Sequence, residues 1–282
     1  MRASDLTLVL ALAGALLGAP VAVQADAPQR VVSMNLCTDQ LAMMLAARGQ
    51  LLSVTYLASD PRSSAMAEQA QAYPANRGLA EDVYLMQPDL VIAGSFTTRA
   101  TVEMLQRLGL RVEIFEPVQA LEDIAPQILR MGDLLGQEEA AAALVEQFEA
   151  DLAAFQAEVT RNPRAALYAA NGFTSGPDSL SGQILETAGF TNIAADLGYA
   201  RGGILPLEVL VMQAPEAVIT SRPYPGNSRA EAVLQHPALR AAQDSRAAGR
   251  FSDRDWVCGT PFVLRAVAEM AQLRRILTGD DE

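Results

Sequence analysis

The chain of 282 residues carries 33 acidic against 21 basic side chains, a formal charge of −12 that excludes the basic face a nucleic-acid binder needs. All of its basic residues are arginines, so no lysine is available for a Schiff base or a phosphate-binding loop. His236 is the one histidine, too few for zinc or manganese receptors, zinc hydrolases or histidine-based nucleophilic catalysts; within Leu234-Gln235-His236-Pro237 it reads as a capping or packing residue at a helix end.

Met1 and Arg2 precede an apolar run from Leu6 to Val23, and Val23-Gln24-Ala25 then supplies a small-x-small site before Asp26. This is the order of a secretory signal peptide over residues 1–25, and no cysteine stands at the end of the run, so a periplasmic protein without a lipid anchor is expected. An N-terminal membrane anchor is the alternative, weakened by Gly14, Gly18 and Pro20. No later stretch is long and apolar enough to span a bilayer, so a membrane-crossing element would have to come from a partner.

From Arg30 onward, short β-branched runs alternate with helical stretches, the pattern of a parallel sheet wrapped by helices. Val31 to Leu36 reads as a strand and Asp39 to Ala47 as the helix behind it; Leu51 to Tyr56, Asp89 to Gly94 and Leu110 to Phe115 supply further strands. Before the last of these, Thr97 or Thr98 opens a helix with Val102, Leu105 and Leu108 on one face, and Gly109 stops it. The alternation then breaks into two helices, Leu121 to Leu135 and Gln137 to Thr160. The second has one apolar stripe, Leu144, Phe148, Leu152 and Phe155, and would be ~35 Å long at the ordinary helical rise. After Asn162-Pro163 come a strand from Ala165 to Ala170, a helix from Ser179 to Ala188, a strand from Ala217 to Thr220 and a closing helix from Pro261 to Leu277. The expected fold is α/β: two parallel-sheet lobes over 26–136 and 162–282, joined by a single long helix over 137–161, with a ligand cleft between the lobes.

Residues 81–92, EDVYLMQPDLVI, and 208–219, EVLVMQAPEAVI, form an internal repeat. In each, a glutamate favourable at a helix N-terminus is followed seven residues later by a proline, then an acidic residue and a Val-Ile strand. Equivalent units in the two halves point to two similar lobes.

With PQRVVSMN at 28–35, EDVYLMQPDLVIAG at 81–94, FTSGPDSLSGQILETAGFTNIA at 173–194 and PLEVLVMQAPEAVI at 206–219, in this order around a long helix, the mature chain resembles the periplasmic binding proteins for cobalamin and iron siderophores. The resemblance implies a non-enzymatic receptor without a cofactor or resident metal. It would capture a corrinoid or ferric siderophore as a monomer and deliver it to the permease and ATPase subunits of an ABC importer. It also implies that one glutamate on each lobe, here Glu81 and Glu208, docks to arginines of the permease; read on their own, both are helix-start carboxylates worth about 0.5 kcal/mol each.

Ligands of open α/β sheets bind beyond the carboxyl ends of the strands. The residues there are Asn35 to Thr38, Tyr56 to Asp60, Ser95 to Thr98, Glu116, Asn171 to Ser175, Ser221 to Tyr224 and Trp256 to Thr260, with the loop Tyr199 to Gly203 beside them. Tyr56, Phe96, Asn171, Phe173, Tyr199, Arg201, Arg222, Tyr224 and Trp256 are the candidate contacts, flat aromatic faces with a few polar groups suiting a large, partly apolar chelate. Arg62, Arg99, Arg201 and Arg222 facing the cleft would indicate an anionic ligand; facing solvent, they would favour a near-neutral corrinoid or hydroxamate chelate. The FTSG at 173–176 resembles cobalamin-binding members more.

Cys37 and Cys258 both follow strands, leaving three readings open: a disulfide tying the two lobes, two separate buried thiols, or a thiolate contact to ligand. A periplasmic enzyme on the same scaffold is the rival function, with Asp39, Asp60, Glu116 or Asp178 for acid/base work. Against it stand the absence of a G-x-S-x-G elbow, of a G-x-G-x-x-G fingerprint and of a histidine-based site. A sensor passing ligand occupancy to a signalling partner is indistinguishable from a transport receptor at this level. The long helical linker implies small lobe closure.

Overall fold

A computed structural model describes residues 27–155, 159, 161–222, 226, 228–244 and 247–279. The segment 1–25, expected to be a signal peptide, and Tyr224 lie outside the described residues.

The first half runs β1 (Val31–Ser33), α1 (Leu36–Leu45), β2 (Leu51–Thr55), α2 (Ala67–Ala70), β3 (Ala75–Asn76), α3 (Ala80–Leu85), β4 (Leu90–Gly94), α4 (Arg99–Arg107) and β5 (Val112–Phe115). The strands form one parallel sheet in the order β3-β2-β1-β4-β5. Helices cover both of its faces, which is why β1 and β4 are wholly buried and read as unbroken apolar runs rather than alternating ones. Leu36 begins α1 instead of ending the strand: the Asn35 side chain accepts from the Cys37 N–H and caps the helix there.

Next come α5 (Ile124–Leu135) and α6 (Glu138–Phe155). The second half follows with β6 (Arg164–Tyr168), β7 (Phe173–Ser175), α7 (Leu180–Thr187), β8 (Thr191–Asn192), α8 (Ile193–Asp196), β9 (Gly202–Ile204), α9 (Leu207–Gln213), β10 (Ala217–Ser221), α10 (Pro237–Asp244), β11 (Ala247–Phe251) and α11 (Val263–Thr278). Its main sheet is parallel, in the order β11-β10-β6-β8, and β7 and β9 pair as a separate antiparallel ribbon. The molecule is thus an α/β protein of two parallel-sheet lobes.

As described, α6 has 18 residues, ~27 Å at 1.5 Å per residue; residues 156–158 and 160, which the expected helix would also take in, lie outside the described residues. Phe148 is buried, and Leu144, Leu152 and Phe155 pack against the same core, so the apolar stripe faces inward. That core is continuous through both halves: Val31, Leu41 and Leu135 of the first share one apolar cluster with Leu167, Ile184 and Val267 of the second. The lobes are therefore joined by packed helices as well as by chain connection. His236 accepts from the Ala238 N–H through Nδ1 at 3.2 Å, in the first turn of α10, and is exposed.

Candidate functional site

In the first sheet the chain steps outward from β1 through β2 to β3, then returns past β1 to lay down β4 and β5. The loops after β1 and β4 consequently diverge and leave a crevice at the carboxyl edge, the position where open α/β sheets bind ligands. A cavity of about 270 Å³ occupies this crevice. It is lined by Asn35–Thr38 and Leu41 from the first loop and helix, Gly94–Phe96 after β4, Phe115–Val118 after β5, Gln127 of α5, and Val257 and Gly259 from the other lobe.

Two close approaches shape it. The Asn35 amide lies directly over Gly94, where a Cβ would come within 2.6 Å of Asn35 Nδ2. Across the lobes, a Cβ on Gly259 would collide with the Val118 side chain. Cys37 and Cys258 are joined by a disulfide, with Cα atoms 5.1 Å apart at a sequence separation of 221, so the carboxyl edge of the first sheet is tied covalently to the segment after β11. Of the three readings of these cysteines, the structure takes the bridge.

Beneath the cavity lies a buried polar layer. Ser33 and Thr38 share a hydroxyl hydrogen bond of 2.8 Å, and Asn76 donates through Nδ2 to the Ser33 carbonyl and to Ser53 Oγ, both at 2.9 Å. Asp39 Oδ2 accepts from the Thr55 N–H at 3.1 Å and from Thr55 Oγ1 at 2.5 Å, while Oδ1 is buried without a partner among the described residues. Burial pushes the Asp39 carboxyl up to about 7, against the opposing pull of the Thr55 hydrogen bonds. A carboxyl so enclosed acts on the packing of α1 rather than on a substrate.

Of the expected contacts, Phe96 lines the cavity and is 85% exposed, a free aromatic face at its rim. Tyr56 is also exposed, after β2, but outside the cavity lining. Asn171, Phe173, Tyr199 and Arg201 gather around the β7–β9 ribbon: Phe173 pairs with Ile204, and the Tyr199 hydroxyl donates to the Ile204 carbonyl at 2.9 Å. Tyr199 thereby holds its own loop and lies over Gly203. Trp256 is a correction: it is only 7% exposed and packs on Phe251 with ring centroids 3.6 Å apart, so it belongs to the core. Of the arginines, whose facing the sequence leaves open, Arg62 pairs with Asp60, Arg99 with Glu103, Arg201 and Arg222 are exposed, and none of the four lines the cavity. Sequence reasoning missed Phe115, Val118 and Gln127 as lining residues. The first two read as core-type side chains, and only the strand order shows that they border an opening.

A second feature sits away from the cavity. Glu81 and Glu208 are exposed in the first turns of α3 and α9, and the repeated units carrying them are built alike. Gln87 and Ala214, each directly before the proline, adopt left-handed backbone with φ of 50° and 46°. Arg30 donates from Nε to the Gln87 carbonyl at 2.8 Å, and Arg164 from Nη1 to the Gln213 carbonyl at 3.0 Å. In return Asp89 accepts from the Arg30 N–H at 2.9 Å and Glu216 from the Arg164 N–H at 3.1 Å. The same clamp thus ties each short helix to the start of the neighbouring strand, β1 or β6.

The family model described as "Periplasmic binding protein" matches residues 31–247. A cobalamin-binding protein of Halobacterium salinarum is 30% identical over 202 residues, which cover 68% of this chain and 54% of that protein, so the match spans about half of the relative's length. Among solved structures, a periplasmic heme-binding protein from Roseiflexus sp. RS-1 superposes with a TM-score of 0.71 at 20% identity, covering 87% of this chain and 98% of that one. The periplasmic vitamin B12 binding protein of Vibrio cholerae gives 0.66 at 18% identity, covering 89% and 98%. At these identities the superpositions speak to the fold.

Proposed function

The chain belongs to the periplasmic binding protein family, and from that premise we propose that it is the non-enzymatic receptor of an ABC importer for a near-neutral metal chelate, a corrinoid before a siderophore. The observation that carries this reading is the lining of the switch-point cavity: two aromatic rings, the amides of Asn35 and Gln127, the hydroxyls of Thr38 and Ser95, one carboxylate in Glu116 and no cation. A carboxylate or catecholate chelate would bring several negative charges to a site with no arginine to meet them. Heme asks for an axial histidine, thiolate, methionine or tyrosine, none of which is free in that lining, since Cys37 is bridged. A corrinoid carries its metal already chelated and offers a broad, amide-rimmed face for Phe96 and the side-chain amides. The likeness to a cobalamin-binding protein over 202 residues supports the same choice.

In this reading residues 1–25 are a cleaved signal peptide, 26–136 and 162–282 are the lobes, 137–161 is the bridge, and the mature protein works in the periplasm as a monomer. Phe173, Asn171 and Tyr199 around the β7–β9 ribbon close the ligand from the second lobe, and Glu81 and Glu208 dock the loaded receptor to arginines of the permease. The enzyme alternative loses its strongest carboxyl, because Asp39 is wholly buried beneath the cavity floor. Overnight incubation of the mature protein with cobalamin, followed by mass spectrometry of the released ligand, tests receptor against enzyme: unchanged recovery is expected, and any converted product would overturn the reading.

A further inference from the structure

The repeated units carry a matched pair of side chains that the fold does not use. Leu85 and Met212 hold the same place in the two units, four residues after Glu81 and Glu208, and each is 78% exposed. Residues four apart lie on one face of a helix, so each unit presents a carboxylate with an apolar side chain beside it. Scattered exposed apolar residues are ordinary, but a pair repeated at one register in two lobes is not accounted for by chance exposure. Tyr84 and Val211, the preceding pair, are also exposed.

The units are held stiffly for a surface with no partner in the fold. Left-handed backbone at a residue other than glycine costs about 1 kcal/mol, and both units accept it, at Gln87 and Ala214. Arg30 and Arg164 then fix the helix ends through the carbonyls of Gln87 and Gln213. Rigid presentation lowers the ordering cost of association.

We propose that Leu85 and Met212 are twin apolar knobs that seat beside Glu81 and Glu208 in a partner offering the same socket twice, an arginine next to an apolar pocket. The occupant that fits is a two-fold symmetric permease dimer, because the surface is acidic, apolar and duplicated across two lobes. This rests on the docking role given to the two glutamates.

The test uses fluorescent mature protein and right-side-out membrane vesicles from the source organism. Burying one such side chain corresponds to about tenfold in affinity, so the double variant L85Q/M212Q is expected to bind at least about tenfold more weakly than wild type, with unchanged thermal melting. The control variant M104Q/I276Q, altering exposed apolar residues elsewhere, is expected to bind as wild type. A photocrosslinker at position 85 or at position 212 is expected to label one and the same membrane polypeptide. Binding by L85Q/M212Q equal to wild type, with E81R/E208R abolished, would overturn the knobs and leave glutamate docking standing. Equal loss in the control variant, or different polypeptides labelled from the two positions, would also overturn the proposal. Wild-type-like binding by E81R/E208R, or no saturable binding by the wild type, would remove the docking reading and this proposal with it.

Discussion

Asp39 gives the sharpest energetic test of the layer that supports the cavity. Its folded carboxyl is raised from 3.8 to about 7, chiefly by burial. The sign follows: below pH 4 both folded and unfolded chains hold the proton, and stability is unaffected. As pH rises toward 7 the unfolded chain releases the proton while the native state keeps it, and stability is lost. Each pH unit in that window costs about 1.4 kcal/mol, so Asp39 withdraws roughly 4 kcal/mol by pH 7, with no further loss above it. Asp39→Asn removes the titration. Its carbonyl still accepts from Thr55, and its amide N–H takes the unpartnered place that the O–H of the neutral carboxyl already holds in wild type, so the two side chains differ little while Asp39 is protonated. The variant is therefore expected to be close to wild type in stability at pH 4 and more stable at pH 8. Urea unfolding of both proteins at one-unit intervals between pH 4 and 8 measures the difference, and other titrations cancel in it. A difference that stays flat within about 1 kcal/mol, or that grows in favour of wild type with rising pH, would refute the reasoning.

Two further outcomes are expected. Replacing both cysteines with serine, C37S/C258S, opens a loop of 221 residues and should lower unfolding free energy by up to about 5 kcal/mol, read from denaturant curves; a loss below about 1 kcal/mol would mean that the bridge constrains little. Phe96→Ala, at a side chain 85% exposed, should leave melting unchanged and weaken chelate affinity about thirtyfold, from about 2 kcal/mol of lost aromatic burial, as titration calorimetry would show; undiminished affinity would remove Phe96 from the site.

The sequence was most legible where periodicity and caps agree. The buried strand Leu90–Gly94 and the apolar stripe of α6 follow from residue spacing alone, because burial on both faces or on one face leaves a direct imprint on the pattern. The repeated Glu-to-Pro units were visible as letters, but their shared clamp was not: Arg30 and Arg164 lie 51 and 44 residues before the glutamates they serve, and spacing carries no record of such contacts. Short elements were lost for a different reason. Ala75–Asn76, Thr191–Asn192 and Gly202–Ile204 are only two or three residues long and have no apolar signature. Trp256 misled because a large aromatic among polar neighbours looks like a ligand face until its partner Phe251, on an unforeseen strand, is in place. The facing of the arginines stayed open in the sequence, although two of their acidic partners, Asp60 two residues before Arg62 and Glu103 four after Arg99, were within reach on the same loop or helix.

Isothermal titration calorimetry of the mature protein with cobalamin and cobinamide, beside ferric hydroxamate, catecholate and carboxylate siderophores, tests the central claim most directly. One-to-one binding of a near-neutral chelate, a corrinoid first, is expected, with the carboxylate and catecholate complexes giving no heat. Tight binding of an anionic siderophore would contradict the reading of the cavity, and heat from none of these ligands would contradict the receptor assignment itself.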